Sequence, residues 1–304
     1  MTGAGSATVA FAKADGFLSV PTGSNYYRPG RNITVDEVTL DNALQRLREE
    51  GTAEAVDSLA TNLEGAFSSS WVVSRDVHAD VRDVVFNDGG SGFSAGRAAL
   101  SRWFLGLDYL NSGGSATAER VLKGVIPLSY SLSYEQGGVI RASLTAGYAD
   151  EELNTSVTPG SITGPTDGGD LPFHAAEFSV DADIQTRLQS ATLSFDNIAR
   201  FHRGDDRVAV DATVAAPEAT LDLTAIYSEA DQTELAYGST GSTSTQTSLD
   251  NVTGQLSLDI DGTNVATYSL PKLKSGSYGW DNLASTEDTT ESITYQVNGG
   301  VSIS

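Results

Sequence analysis

The sequence predicts a mainly β protein, two tandem β-barrel or sandwich units with a few short helices. Three observations carry that expectation. From Val125 to Glu151 the apolar and aromatic residues take every second position: Leu128, Tyr130, Leu132 and Tyr134, then Ile140, Ala142, Leu144, Ala146 and Tyr148. Alternation at period two buries one face of a strand and leaves the other wet. The pattern then recurs: Ser129-Tyr-Ser-Leu-Ser-Tyr-Glu135 is matched by Ser190-Ala-Thr-Leu-Ser-Phe-Asp196, and Leu144-Thr-Ala-Gly-Tyr148 by Leu223-Thr-Ala-Ile-Tyr227. Two blocks in the same order point to an internal duplication, although half-buried strands also converge on Ser, Thr, Leu and Tyr. Finally, about ten short strand patterns stand against only three or four helical stripes.

The register of the first hairpin follows from its loop. A two-residue Gly137-Gly138 loop would pair Gln136 with Val139, setting even positions against odd ones and splitting the apolar face. A three-residue loop, Gln136-Gly137-Gly138, instead pairs Tyr134 with Ile140, Leu132 with Ala142 and Tyr130 with Leu144. The apolar series then stays on one side, with a glycine free to take positive φ.

Residues 1–34 predict an N-terminal arm. A short alternating piece around Ala7 to Phe11 precedes an irregular Gly/Pro/Asn-rich stretch, Pro21 to Asn32. So small an arm is expected to be held by something else, such as a neighbouring subunit.

Residues 35–165 predict a first β unit with helices. Asp41 to Gly51 reads as helix: Asp41 caps, Leu44 and Leu47 share a face, and Gly51 stops it. A second short helix is expected over Ala53 to Leu63. Ala66 to Ser74 reads as strand, with Phe67, Trp71 and Val73 on one face. Val77, Val81, Val84 and Val85 form a helical stripe, and Ser94 is expected to cap a helix running through Leu105. Asn154 to Pro172, rich in Thr, Gly, Ser and Pro, predicts the domain boundary.

Residues 166–304 predict the second β unit, with strands at Glu177–Asp181, Leu188–Asp196, Val208–Ala215 and Ala219–Tyr227. Gly238 to Ser248 carries no charge and reads as an exposed loop. Leu256, Leu258 and Ile260 face Ala266, Tyr268 and Leu270 across a three-residue loop, Asp261-Gly262-Thr263. Pro271 to Lys274 is expected to interrupt that hairpin, and Ser292 to Ser304 to form the last strand.

Composition narrows the function. The chain holds 18 basic and 40 acidic residues, a formal charge of -22. Such a surplus argues against a duplex-DNA-binding surface, which needs clustered Lys and Arg. With only four lysines, it fits adaptation to high salt first, where self-repulsion is screened, and is compatible with a negative wall that polyanions pass without sticking. With no cysteine there are no disulfides or thiolate ligands. No secretory signal or membrane-length apolar run is visible, predicting a soluble product made inside the cell. The sequons at Asn32, Asn154 and Asn251 are triplets short enough to arise by chance.

Nothing catalytic assembles, and no enzyme, cofactor or metal is expected. His78, His174 and His202 stand on different predicted elements, as solvent-facing or strand-edge residues. A zinc site would need all three together, or carboxylates with them. Asp259-Ile-Asp261-Gly262 resembles the start of a calcium loop, but its glycine comes too early and Leu270 stands where the closing Glu belongs. With so many acids, no carboxylate pair singles itself out as a glycosidase site.

The two half-chains, together with Ser269-Leu-Pro-Lys-Leu273, Glu64-Gly65-Ala66-Phe67-Ser68, Asp83-Val84-Val85-Phe86 and Glu119-Arg120-Val121-Leu122-Lys123-Gly124, resemble tail tube proteins of long-tailed, siphovirus-like viruses of the haloarchaeal type. The resemblance spans nearly the whole chain through loose patterns. It implies a structural virion protein of the tail, assembled in the host cytoplasm. Its rings would stack around a channel through which genome DNA passes without specific binding. The partners it implies are other copies of the chain, a tape measure, a tail terminator and a baseplate, with no membrane. A duplicated chain predicts a trimeric, pseudo-sixfold ring; a single barrel per chain predicts a true hexamer. The polar face of the first hairpin is then the expected lumen lining: Ser129, Ser131, Ser133 and Glu135, with Arg141, Ser143 and Thr145 opposite. The competing class is a monomeric β-sandwich binding or virion decoration module, for carbohydrate or a surface, which should show an exposed aromatic platform.

Overall fold

The computed structural model describes residues 7–19, 25–51, 54–109, 116–153 and 161–304. Its first half contains β1 (Ala7–Lys13), β2 (Asn25–Tyr27), β3 (Arg31–Asp41), β4 (Leu44–Leu47), β5 (Asp57–Ala60), β6 (Glu64–Val72) and helix α1 (His78–Val85). There follow β7 (Ser101–Tyr109), β8 (Ala116–Glu135), β9 (Arg141–Tyr148), β10 (Asp150–Leu153) and β11 (Ser161–Thr163). The second half adds β12 (Ala176–Val180), β13 (Asp183–Ile184), β14 (Leu188–Asp196), β15 (Ala199–Arg203), β16 (Ala209–Val214) and β17 (Glu218–Ile226). It ends with helix α2 (Asp231–Tyr237), β18 (Val252–Ile260), β19 (Thr263–Asp281), β20 (Thr290–Asn298) and β21 (Ser302–Ile303). The chain is mainly β.

Strand β8 organises the molecule because it serves two sheets. Its first half pairs with β7 and β10, and its second half with β9 and β14. The change of direction falls at Gly124, whose φ of +58° suits glycine. A β-carbon there would crowd Ala149 and Leu18 at 3.1 Å.

The long sheet runs β3-β6-β9-β8-β14-β17-β20-β19-β18-β12. It is open: β3 lies at one end and the two-residue β13, paired with β12, at the other, so the barrel alternative is not what forms, and the layering is sandwich-like. The smaller sheet packs on it through Trp103, whose ring lies 5.0 Å from Phe67 and 5.5 Å from Phe11. One buried cluster extends from Phe11 to Ile303.

The expected register is observed: Leu132 faces Ala142 and Tyr130 faces Leu144. At the tip the Gly138 amide donates to the Glu135 carbonyl at 3.0 Å, and Gly137 takes φ +78°. The two repeat blocks pair with each other, Leu132 against Leu193 and Tyr130 against Phe195. The outer strands follow suit: Tyr130 faces Leu144 as its counterpart Ala191 faces Leu223, and Leu132 faces Ala142 as Leu193 faces Leu221. This is the register a two-fold relation about the Leu132–Leu193 pair requires.

Several local expectations are corrected. The helices expected over 41–51 and 53–63 are the end of β3 and a β4–β5 ribbon, with residues 52 and 53 outside the described set. The i, i+3 spacing of Leu44 and Leu47 had suggested a stripe. Both side chains are exposed, so no core rewards a helix there. The helix expected over 94–105 gives way to β7, which lies between β1 and β8 and buries both faces of Arg102, Trp103 and Phe104. A continuous apolar run does not distinguish such a strand from a buried helix.

Pro271 does not interrupt β19; it is exposed at the irregularity between the Leu270 and Leu273 pairings, where a strand tolerates proline. The tip of the β18–β19 hairpin is a two-residue turn, Asp261 and Gly262 at φ +53° and +72°. A bulge after Leu258 then restores the expected Leu258–Ala266 pairing. The last strand is split at Gly299-Gly300 into β20 and β21. Helix α2 had no counterpart in the sequence reading.

The arm's described strands lie in this chain's own sheets: β1 pairs with β7, and Ala10, Phe11 and Ala12 are buried. Of the boundary segment 154–172, residues 154–160 lie outside the described residues.

Gly65 faces Tyr148 across β6 and β9, and an added β-carbon would lie 2.2 Å from the tyrosine ring. That ring is held by its hydroxyl, which donates to the Thr39 carbonyl at 2.5 Å, and so cannot swing aside. Gly65→Ala should therefore cost about 2 kcal/mol through overpacking. A lowered urea midpoint, partly recovered when Tyr148→Leu is added, is the expected result.

Candidate functional site

All seven residues singled out from the sequence lie on one face. Ser129 pairs with Thr145, Ser131 with Ser143 and Ser133 with Arg141, while Glu135 reaches the next strand opposite Ser190. Glu135, Ser143 and Thr145 are exposed; Ser129, Ser131, Ser133 and Arg141 are half-buried. Their neighbours along the strands, Leu132, Ala142, Leu144 and Ala146, are buried on the other side. The one-sidedness follows from period-two alternation in a sheet with one covered face.

The register extends this face far beyond the hairpin. One row runs Thr34, Ser70, Ser143, Ser131, Ser194, Thr220, Gln296 and Lys274 across successive strands. The row above runs Arg141, Ser133, Thr192, Asp222, Thr294 and Ser277. The row below holds Asp36, Ser68, Thr145 and Ser129. Every member is exposed or half-buried.

Hydroxyls hydrogen-bond along and across these rows. Thr34 and Ser70 oxygens lie 2.8 Å apart, and Arg141 Nη2 donates to Ser70 Oγ at 3.3 Å. Only Arg141 and Lys274 bring positive charge to the three rows, against Asp36 and Asp222. A DNA phosphate meets no cation cluster on such a surface.

The sequence placed only the first hairpin on this face and left out the polar sides of β3, β6, β14, β17, β20 and β19. The signal was present in Ser190-x-Thr192-x-Ser194 and Thr220-x-Asp222-x-Thr224. Only strand pairing could join those runs to Ser129–Glu135. At the hairpin tip Ser133, Glu135, Arg141, Gln189 and Ser190 border an open recess of about 440 Å³.

The histidine expectation needs one correction. His78 is neither solvent-facing nor at a strand edge; it is 1% exposed in the first turn of α1. Its Nε2 lies 2.9 Å from the Tyr268 hydroxyl. Burial, and to a lesser degree the Arg82 guanidinium, push its pKa down to about 3, so the imidazole is neutral. Burial likewise raises the Tyr268 and Tyr130 phenols well above their ordinary range. His174 is exposed, and His202 Nε2 lies 2.8 Å from Thr213 Oγ1. Among the described residues, no three or more His, Asp or Glu side chains come together as metal ligands.

Elsewhere the surface carries ion pairs of structural type. Lys123 Nζ lies 2.6 Å from Asp150 Oδ2 and 2.7 Å from Glu152 Oε1, joining β8 to β10. Among the described residues, no helix is long and apolar enough to cross a membrane.

Fold and face together define a mainly β protein with one extensive open sheet, apolar beneath and hydroxyl-rich above. No protein-family model matches the chain, and no curated protein matches it significantly.

Proposed function

We propose that this chain is a non-catalytic structural subunit of the tail-tube type, whose hydroxyl-rich sheet face borders the aqueous bore of a self-assembled tube. The carrying observation is the polar row that crosses eight strands from Thr34 to Lys274. A wall between a packed shell and a wet channel needs one apolar and one polar face. A channel for genome DNA also needs few cations, because each phosphate contact retards passage. Two further features support assembly. The sheet ends at β3 and at the two-residue β13 without closing, and open edges invite pairing with another chain. The charge of -22 favours association only where salt screens it.

The repetition of Ser129–Glu135 as Ser190–Asp196 is what favours the trimeric ring over the hexamer in this reading. Tape measure, terminator and baseplate proteins are the partners this reading carries, in a virion tail. Electron microscopy of the concentrated protein in molar salt tests it. Rings or tubes with a central channel are expected, and a monodisperse monomer at every concentration overturns it.

The chain has no cysteine, so Ser131→Cys introduces a single thiol. A small maleimide should label it in assembled particles, whereas a maleimide on a polymer wider than the bore should label only dissociated chains. Equal labelling of assembled particles by both reagents would put Ser131 outside the channel.

One observation favours the binding-module reading. Trp280 is 43% exposed, with Tyr227 5.1 Å from its ring. Saturable binding of a glycan by a strictly monomeric protein is what that reading predicts.

A further inference from the structure

The smaller sheet has a second face, turned away from Phe11 and Trp103, and its polar groups are left without partners. The middle strand of that face, β1, presents Ala10 and Ala12, both buried. Ala12 pairs with Arg102 of β7, and the Phe11–Tyr27 pair sets Tyr26 of β2 on its other side. Tyr26, Ala12 and Arg102 therefore form one row across three strands, with Ile162 of β11 beyond Tyr26. The two outer residues stand about 10 Å apart, two strand spacings. Alanine ends at its β-carbon, so the tyrosine and the arginine have room over it to approach a shared ligand.

Both side chains are enclosed, Tyr26 being 3% and Arg102 2% exposed. Among the described residues, Arg102 Nε and Nη1 and the Tyr26 hydroxyl have no hydrogen-bond partner. The remaining guanidinium nitrogen, Nη2, has one long contact, 3.5 Å to Glu152 Oε2. That carboxylate is engaged elsewhere, since its Oε1 lies 2.7 Å from Lys123 Nζ. Nε shares one edge of the guanidinium with Nη2 and Nη1 shares the other, so each edge retains an unpaired donor. Burial pushes the Tyr26 phenol up, and the nearby Arg102 guanidinium pulls it part of the way back. The phenol keeps its proton and is a donor too, while a guanidinium has no accepting atom. Burying unpaired donors around a cation is costly, and a negatively charged acceptor among them removes that cost.

We propose that Arg102 and Tyr26 form an enclosed binding site for a small inorganic anion, a halide such as chloride. A monatomic anion accepts hydrogen bonds from any direction, so one ion above Ala12 bridges a guanidinium edge and the phenol. The enclosure of both side chains favours an ion without a carbon skeleton. The bound ion ties β2 to β7 across β1. The site uses none of the residues of the hydroxyl-rich face and stands whether or not copies of the chain assemble.

Urea unfolding at fixed ionic strength, with sodium gluconate replaced stepwise by sodium chloride, tests the site. The urea midpoint should stay flat at low chloride and then climb with its logarithm, as one ion bound only by the folded chain requires. Tyr26→Phe removes a hydroxyl that has no partner among the described residues, so that variant is expected to fold. It should move the onset about tenfold higher in chloride. Arg102→Met should abolish the chloride dependence, and Tyr26→Phe decides the matter if the methionine variant does not fold. In crystals soaked in sodium bromide, an anomalous peak is expected within hydrogen-bonding distance of the guanidinium and the phenol. Equal midpoints in chloride and gluconate, or a chloride onset untouched by Tyr26→Phe, overturn the site. So does a crystal with only a water between Arg102 and Tyr26. A bromide peak without chloride-dependent stability marks an adventitious ion only and also overturns it. Stabilisation by formate but not by chloride assigns the donors to a planar carboxylate and overturns the halide.

Discussion

Acidification from pH 6.5 towards pH 4 is expected to destabilise the protein steeply, through His78. In the unfolded chain that imidazole takes up a proton below its ordinary pKa near 6.5. In the native protein burial holds the pKa at about 3, so the folded state declines the proton across the whole interval. Between those values the unfolded state binds more protons, and stability falls as pH falls. At about 1.4 kcal/mol per pH unit the loss reaches on the order of 3 kcal/mol by pH 4, a large share of a typical ~5–15 kcal/mol.

The phenols packed near His78 set no competing trend in that window. Tyr268 and Tyr130 have raised phenol pKa values and stay neutral. Glu291 and Asp80, both raised by burial, oppose the effect: their neutral forms suit the fold, so they recover stability as pH falls. Asp76, lowered mainly by hydrogen bonds from Thr166, adds to the loss at the acid end. Urea midpoints across pH 4–7 check this. His78→Phe should flatten the slope whatever it does to stability at pH 7, and an unchanged slope would refute the assignment.

Leu132→Ala and Leu193→Ala are each expected to cost about 2–5 kcal/mol, as buried leucines do when a cavity replaces them. They are 1% and 0% exposed and face one another across β8 and β14. The double substitution should unfold the chain at room temperature, with a cost departing from the sum because the two share one contact. The seam also decides cooperativity. The sheet runs unbroken through β8 and β14, so loss of either leucine should lower one common transition. Fluorescence of buried Trp71 and Trp103 reports on the first half, and far-UV circular dichroism on both. Two separated transitions would mean that the halves stand independently. Val210→Ala, at a site 53% exposed, serves as a control expected to shift stability by less than about 0.5 kcal/mol.

Legibility from sequence followed the strength of the local signal. Tyr130 to Leu144 could be registered to the residue, because alternation and the Gly137-Gly138 turn agree. The repeat match of Leu144 with Leu223 was also visible, and the two leucines stand opposite the matched positions Tyr130 and Ala191. His78 was misplaced because a lone histidine carries no burial signal until Tyr268, 190 residues away, is brought beside it. The β4–β5 ribbon and β7 read as helices in sequence because short apolar spacings fit either period, and neighbouring strands decide between them.

By itself, then, the sequence determined the class and the polarity of the strands. Period-two alternation is a local property, and it already says which side chains of Ser129 to Thr145 face water. What joins to what was decided by the tertiary structure alone. Strand pairing between residues far apart in sequence turned scattered hydroxyls from Thr34 to Lys274 into one continuous surface. It also left the Leu44 ribbon and the Trp280 end uncovered, because hydrogen-bond partners across a sheet are chosen by the packing of the whole chain.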